Sequence, residues 1–202
     1  RDYDFGIKSA MIRWELHDLG SYGYLYQSHA SSGRFPSDKA YHFFVSCILE
    51  DLAEEPESKP KLSGKISELL EYLKKGAKKQ FVKELSGTLK TLSFCYEQES
   101  FYNSGLNDFF SCFDDISKED VVDIAKDLEF LPEKIESKRG WWLQDSEWPQ
   151  VFIGKSPITR SRNLSVIMHK LSNRKETNLL IVAIGPKRMN YEKSLKIFKH
   201  LN

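Results

Sequence analysis

Cysteine is scarce. Only Cys47, Cys95 and Cys112 occur in 202 residues, and no two form a Cys-x-x-Cys pair. That excludes a disulfide framework and a zinc site built on paired thiolates. It fits a reducing cytoplasm, with the three thiols read as small buried hydrophobes. No stretch approaches the ~18 consecutive apolar residues of a membrane helix, and Arg1 to Phe5 lack the apolar core of a signal peptide. No membrane association is expected. The five histidines, His17, His29, His42, His169 and His200, have no ligand spacing to cysteine or carboxylate, so neither metal nor cofactor is expected. There is no phosphate-cradling glycine motif. Asp114 and Asp115 are adjacent carboxylates with no evident partner. No enzyme is expected. Internal repeats and low-complexity tracts are also missing. The chain opens on Arg1 rather than Met, which reads as a trimmed or partial sequence.

What is present is an ordinary globular composition, 40% hydrophobic and 29% charged. The net charge of +1 conceals segregation. Residues 1–46 balance five Lys/Arg against five Asp/Glu, residues 47–150 hold 14 against 22, and residues 151–202 hold 11 against two. A basic end suits nucleic acid or an acidic partner. It equally suits the acidic middle of its own fold.

Ile7, Ala10, Met11, Ile12, Leu16 and Leu19 have helical spacing, broken at Gly20 and Gly23. Tyr22 to Gln27 is aromatic and β-prone, and Ala30 to Pro36 reads as a tight loop. Ser37 N-caps a helix from Asp38 that is expected to bury Tyr41, Phe44, Val45, Ile48 and Leu49. Glu54 to Lys61 has linker composition. A stripe from Ile66 to Leu92 predicts a long helix, split at Gly76 or Gly87. Ser117 with Asp120 opens another helix, expected to end at Pro132. Trp141, Trp142 and Trp148 read as a loop anchored on a sheet rather than a stacking platform. Val151–Ile153, Leu164–Met168 and Leu179–Ile184 are expected strands, the last buried on both faces. Gly185-Pro-Lys-Arg188 is a structural turn more than an anion site. A helix through Tyr191, Leu195, Phe198 and Leu201 closes the chain.

One segment carries a chemical reading. A helix starting at Lys8-Ser9 offers a lysine, a hydroxyl and free N–H groups to a phosphate. Arg13, Trp14 and His17 face outward, and an arginine takes a guanine edge bidentately in the major groove. The loop His29-Ala-Ser-Ser-Gly-Arg34 suits a wing. Ser32 and Gly33 allow close approach to phosphates, and Arg34 suits the minor groove. On these residues alone, DNA binding and a plain polar loop are evenly matched, because the segment has no net positive charge.

The same residues resemble a family, the heat-inducible transcription repressors of the HrcA type. Ser9-Ala-Met-Ile-Arg-Trp-Glu-Leu16 is similar to its recognition helix. Gly23-Tyr-Leu-Tyr-Gln-Ser-His29 and Ser31-Ser-Gly-Arg-Phe-Pro-Ser-Asp-Lys-Ala-Tyr41 continue the likeness. Tyr102-Asn-Ser-Gly-Leu-Asn107, Val151-Phe-Ile-Gly154, Leu164-Ser-Val166 and Gly185-Pro-Lys-Arg-Met-Asn-Tyr191 follow in the family's order. Met11 stands where the family usually has Thr, and Trp14 where it has Asn. The resemblance implies an α+β chain: a partial N-terminal winged helix-turn-helix over 1–50, a linker over 51–62, and a reduced GAF-like regulatory and dimerisation domain over 63–202. The helices that open the winged helix are expected ahead of Arg1, and the dimerising insertion and first GAF-like strands are expected to be reduced or absent. The implied partners are a double-stranded DNA operator with an inverted repeat, a second copy in a homodimer, and the GroEL chaperonin. The implied DNA contacts are Lys8, Ser9, Arg13, Trp14, His17, His29, Ser32, Gly33 and Arg34. The alternative is a protein-interaction or ligand-sensing GAF-like module that has lost specific DNA binding.

Overall fold

A computed structural model describes residues 6, 8–29, 31–54, 64–113, 116–144, 149–172 and 178–201. It is a mixed α+β chain that divides into two compact units, Arg1–Cys47 and Ile48–Asn202. Among the described residues no helix is long and apolar enough to cross a membrane. Ile7, Ala30, Asp114, Asp115, Trp148 and Asn173 lie outside the described residues.

The first unit holds helix α1 (Ser9–Ser21), the two-residue strands β1 (Leu25–Tyr26) and β2 (Phe35–Pro36), and the start of α2 (Asp38–Glu54). β1 and β2 pair antiparallel, Leu25 with Pro36 and Tyr26 with Phe35. The stretch expected as a loop up to Pro36 therefore ends in a strand. Ser37 caps α2 as expected, its hydroxyl accepting from the Ala40 N–H at 3.3 Å. Val45 and Ile48 are buried, but Phe44 is 52% exposed, against the expectation from spacing. Residues 51–54 form the last turn of α2.

The second unit is built on five antiparallel strands. They are β3 (Leu92–Glu97), β4 (Ser100–Ser104), β5 (Gln150–Ile153), β6 (Leu164–Ser172) and β7 (Asn178–Pro186), in the order β4-β3-β7-β6-β5. β7 lies at the centre, paired with β6 from Leu164↔Pro186 to Ser172↔Asn178 and with β3 from Leu92↔Ile184 to Tyr96↔Leu180. Its burial on both faces follows from its unbroken apolar run. Alternation sends Leu92, Phe94, Tyr96, Leu164, Val166, Met168, Leu180, Val182 and Ile184 to one face. There they meet Phe109 of α5 (Leu106–Ser111), Ile124 of α6 (Lys118–Glu129), Leu131 and Ile135 of α7 (Leu131–Ser137), and Trp142 of α8 (Arg139–Trp142). The other face carries Cys95, Ser165, Ile167 and His169. Over it lie α4 (Lys78–Leu89), which follows α3 (Gly64–Lys74), and α9 (Tyr191–Lys199). The Ser165 and Tyr191 hydroxyls meet at 2.6 Å, and the His169 ring lies edge-on to Phe198.

Several expectations change. The predicted long helix breaks at Gly76, whose φ of +68° is left-handed, while Gly87 stays inside α4. Leu92 begins a strand rather than ending a helix. β3 and β4 were not expected as strands at all. They form a hairpin across Gln98-Glu99, both with positive φ, 47° and 66°. Pro132 opens α7 instead of ending α6, because the first helical turn needs no proline N–H. Ser117 does cap α6, accepting from the Asp120 N–H at 3.0 Å. Trp141 and Trp142 are helical rather than in a loop, yet both anchor: Trp141 packs on Phe152, and the Trp142 indole N–H donates to the Ile135 carbonyl. β6 runs on to Ser172, past the expected end at Met168.

Candidate nucleic-acid interface

Helix α1 has no buried residue. Lys8, Ser9, Arg13 and His17 are exposed, and Trp14 is 69% exposed. Met11, one turn before Trp14, is 53% exposed, so two large apolar side chains three apart share a face of the helix. Lys8 is the N-cap with extended backbone, ψ 147°, and no side chain caps the helix. Lys8 and Ser9 therefore stand at the start of the helix, where the first-turn N–H groups have no side-chain cap. The first turn holds no acidic side chain.

The exit from α1 is tightly specified. The Gly23 N–H donates to the Gly20 carbonyl at 3.0 Å and the Tyr24 N–H to the Leu19 carbonyl at 2.9 Å, with Gly23 at φ +76°. This pair of bonds around a left-handed glycine is the Schellman motif. It turns the chain straight from α1 into β1. The Ser37 hydroxyl then donates to the Gly23 carbonyl at 2.7 Å, and its N–H to the Tyr24 carbonyl at 2.9 Å. Lys39 closes the corner, donating to the Tyr22 carbonyl at 2.8 Å with its ammonium 4.4 Å from the Tyr24 ring centre. The sequence marked Gly23 only as a break in the helical pattern and gave Lys39 no role. The Gly23 signal was present, since a glycine just past a helical run marks this cap.

Beyond the hairpin strands, whose Tyr26 and Phe35 rings pack at 5.9 Å, the connecting loop is organised by one hydroxyl. Ser32 Oγ accepts from the His29 N–H at 3.1 Å, donates to the His29 carbonyl at 2.9 Å and lies 3.1 Å from Ser28 Oγ. Gln27 Nε2 donates to the Ser32 carbonyl at 2.6 Å. The Ser32 hydroxyl is thus engaged inside the loop rather than presented outward. His29, Gly33 and Arg34 are exposed around it. Lys8, Arg13 and Arg34 have no ion-pair partner among the described residues, while Lys39 is occupied at the corner. No group of His, Cys, Asp and Glu among the described residues has the arrangement of a metal site.

Comparison with known proteins gives the following. The model of the HrcA protein C-terminal domain matches residues 47–195. A heat-inducible transcription repressor HrcA of Caldanaerobacter subterraneus subsp. tengcongensis is 46% identical over 80 residues, 39% of this chain and 23% of the relative. The protein of that name from Acetivibrio thermocellus is 41% identical over 78 residues, 37% of this chain and 22% of the relative. These matched stretches span less than a quarter of the curated relatives. The crystal structure of a hypothetical protein has the same fold at 14% identity, with a TM-score of 0.70, covering 96% of this chain and 85% of that one.

Proposed function

The chain belongs to the HrcA family, and from that premise we propose that it is a DNA-binding transcriptional repressor of heat-inducible chaperone genes. In this reading Arg1–Cys47 supplies the recognition helix and wing of a winged helix, and the five-stranded unit is the GAF-like regulatory part. It works in the cytoplasm as a non-enzymatic homodimer, since an inverted repeat presents two equivalent half-sites to a two-fold protein. GroEL is its proposed regulatory partner, as the family resemblance implies.

The observation that carries the reading is α1 itself. A helix with no fully buried residue, which keeps Arg13 and Trp14 exposed and has no acidic side chain in its first turn, suits a major groove, which admits a helix. Lys8, Ser9 and His17 lie along it, and His29, Gly33 and Arg34 form the wing tip. Ser32 acts as a positioning residue that holds the tip through its bonds to His29.

Electrophoretic shifts on an inverted repeat from a chaperone operon test this. Arg13→Ala should cost about 1–3 kcal/mol on the cognate repeat and little on scrambled DNA. Arg34→Ala, if it meets backbone, should lower the salt dependence by about one unit of slope. Equal affinity of the intact protein for cognate and scrambled duplex at moderate salt refutes the specific-repressor reading.

A further inference from the structure

Five of the basic side chains of residues 151–202 are used within the second unit. The Lys170 ammonium donates to the Leu143 and Gln144 carbonyls, Arg188 to that of Cys112, Lys193 to that of Thr88 and Lys199 to that of Leu52, and Lys196 pairs with Glu192. Arg160 and Arg162 differ. Both are exposed, and neither guanidinium has a partner among the described residues. They stand at the end of the β5–β6 connection, beside a cleft of about 900 Å³ whose other wall is α6 and its C-cap, Phe130.

The backbone beneath the two arginines is fixed. Asp127 of α6, 3% exposed, accepts from the Arg160 N–H at 2.6 Å and the Ser161 N–H at 2.8 Å on one carboxylate oxygen. Its other oxygen accepts from Lys134 at 2.7 Å. Ser161, between the arginines, is buried. Two guanidinium forks thus extend from an immobilised Arg-Ser-Arg segment. A guanidinium meets phosphate oxygens in pairs, and a backbone already held in place spares the entropy of ordering that segment. The lining holds four cations, Lys126, Lys134, Arg160 and Arg162, against the three carboxylates Asp120, Asp123 and Asp127, and two of those carboxylates are paired, Asp127 with Lys134 and Asp123 with Lys126 at 3.4 Å. Phe130 is 52% exposed and lines the same cleft, giving a planar ring a surface to stack on.

We propose that this cleft binds a nucleoside phosphate, with its phosphates on Arg160 and Arg162 and its base against Phe130. The bound ligand bridges α6 and the β5–β6 connection, so it stabilises the second unit. The site is independent of the DNA reading, and so is its test.

Titration calorimetry of the purified full chain with ADP, adenosine and inorganic pyrophosphate at constant salt provides the test. ADP should bind saturably at one site and raise the Tm. R160Q/R162Q should weaken ADP by at least about tenfold, the loss of two charge-assisted contacts. Phe130→Ala should weaken ADP and leave pyrophosphate unchanged. All three side chains are exposed, and circular dichroism checks that each variant is folded. R162Q alone supplies the comparison if the double variant is not. No binding of ADP at millimolar concentration overturns the proposal, as does ADP affinity unchanged in the arginine variants. Pyrophosphate binding as tightly as ADP overturns the assignment to a nucleoside phosphate.

Discussion

Gly105 should be intolerant of a single added methyl group. It lies between β4 and α5 with φ +95°, in the left-handed region. A Cβ there meets the Thr91 carbonyl oxygen at 2.3 Å and the Ser86 Cβ at 2.7 Å. The oxygen is backbone and cannot swing aside, and both neighbours are buried. Left-handed backbone costs an L-residue roughly 1–2 kcal/mol, and forcing a methyl into filled space costs about 1–3 kcal/mol. Gly105→Ala should therefore lose about 2–5 kcal/mol. Gly87 is the internal control. It is exposed inside α4 with nothing within 4 Å of its added Cβ. There Ala should gain up to about 1 kcal/mol, from helix propensity alone. In a chain of this size roughly 2–4 °C accompanies each kcal/mol, so Gly105→Ala should melt roughly 4–20 °C lower and Gly87→Ala up to roughly 4 °C higher. Urea unfolding followed by circular dichroism and tryptophan fluorescence gives both values on one scale. The steric argument fails if Gly105→Ala stays within about 0.5 kcal/mol of the parent, or if the two variants shift the same way.

Further outcomes follow from other positions. The β3–β4 hairpin turns through two positive-φ residues that are neither Gly nor Asn, so Gln98→Asn with Glu99→Gly should stabilise by about 1 kcal/mol, read from the urea midpoint at constant slope. Asp127→Ala leaves two backbone N–H groups and the Lys134 ammonium without their acceptor; a loss of about 3–5 kcal/mol is expected, and a neutral result would mean the β5–β6 connection finds other acceptors. Burial pushes the Cys95 thiol from 9.0 up to about 12, so a thiol reagent should leave it unmodified in the native chain and label it only after unfolding. The raised value favours the folded state fully below pH 9, and that contribution drains away between pH 9 and 12 as the unfolded thiol ionises first. Cys95→Ala should remove this part of the alkaline loss, measured as the pH dependence of the urea midpoint.

The legible parts of the sequence were those where one pattern had one meaning. The apolar run Leu179–Ile184 read as a doubly buried strand, and Ser117 with Asp120 as a helix start, and both stand so in the fold. The β3–β4 hairpin was illegible for a definite reason. Its turn is Gln98-Glu99, without the Asn-Gly chemistry that announces such a turn, and Leu92 sits where a helical stripe would continue. Phe44 misled because helical spacing locates an apolar face without saying whether anything covers it. At the candidate interface, exposure of Arg13, Trp14 and Arg34 followed the reading. The inward commitment of the Ser32 hydroxyl did not, since composition shows that a loop is polar but not where its hydrogen bonds go. The basic end divided in the same way. Its lysines on α9 hold the fold, and only coordinates separate them from Arg160 and Arg162.

The central place of β7 has a consequence for the order in which the ribosome delivers this chain. β3 and β4 emerge first and can close on each other, and β5 and β6 can pair later, but the two pairs share no edge. They stay apart, each with the strand edge that β7 will take still open, until synthesis has passed Pro186. The sheet therefore cannot assemble progressively during translation. It must close late around its last strand, and the nascent chain carries the open edges of both hairpins throughout that wait.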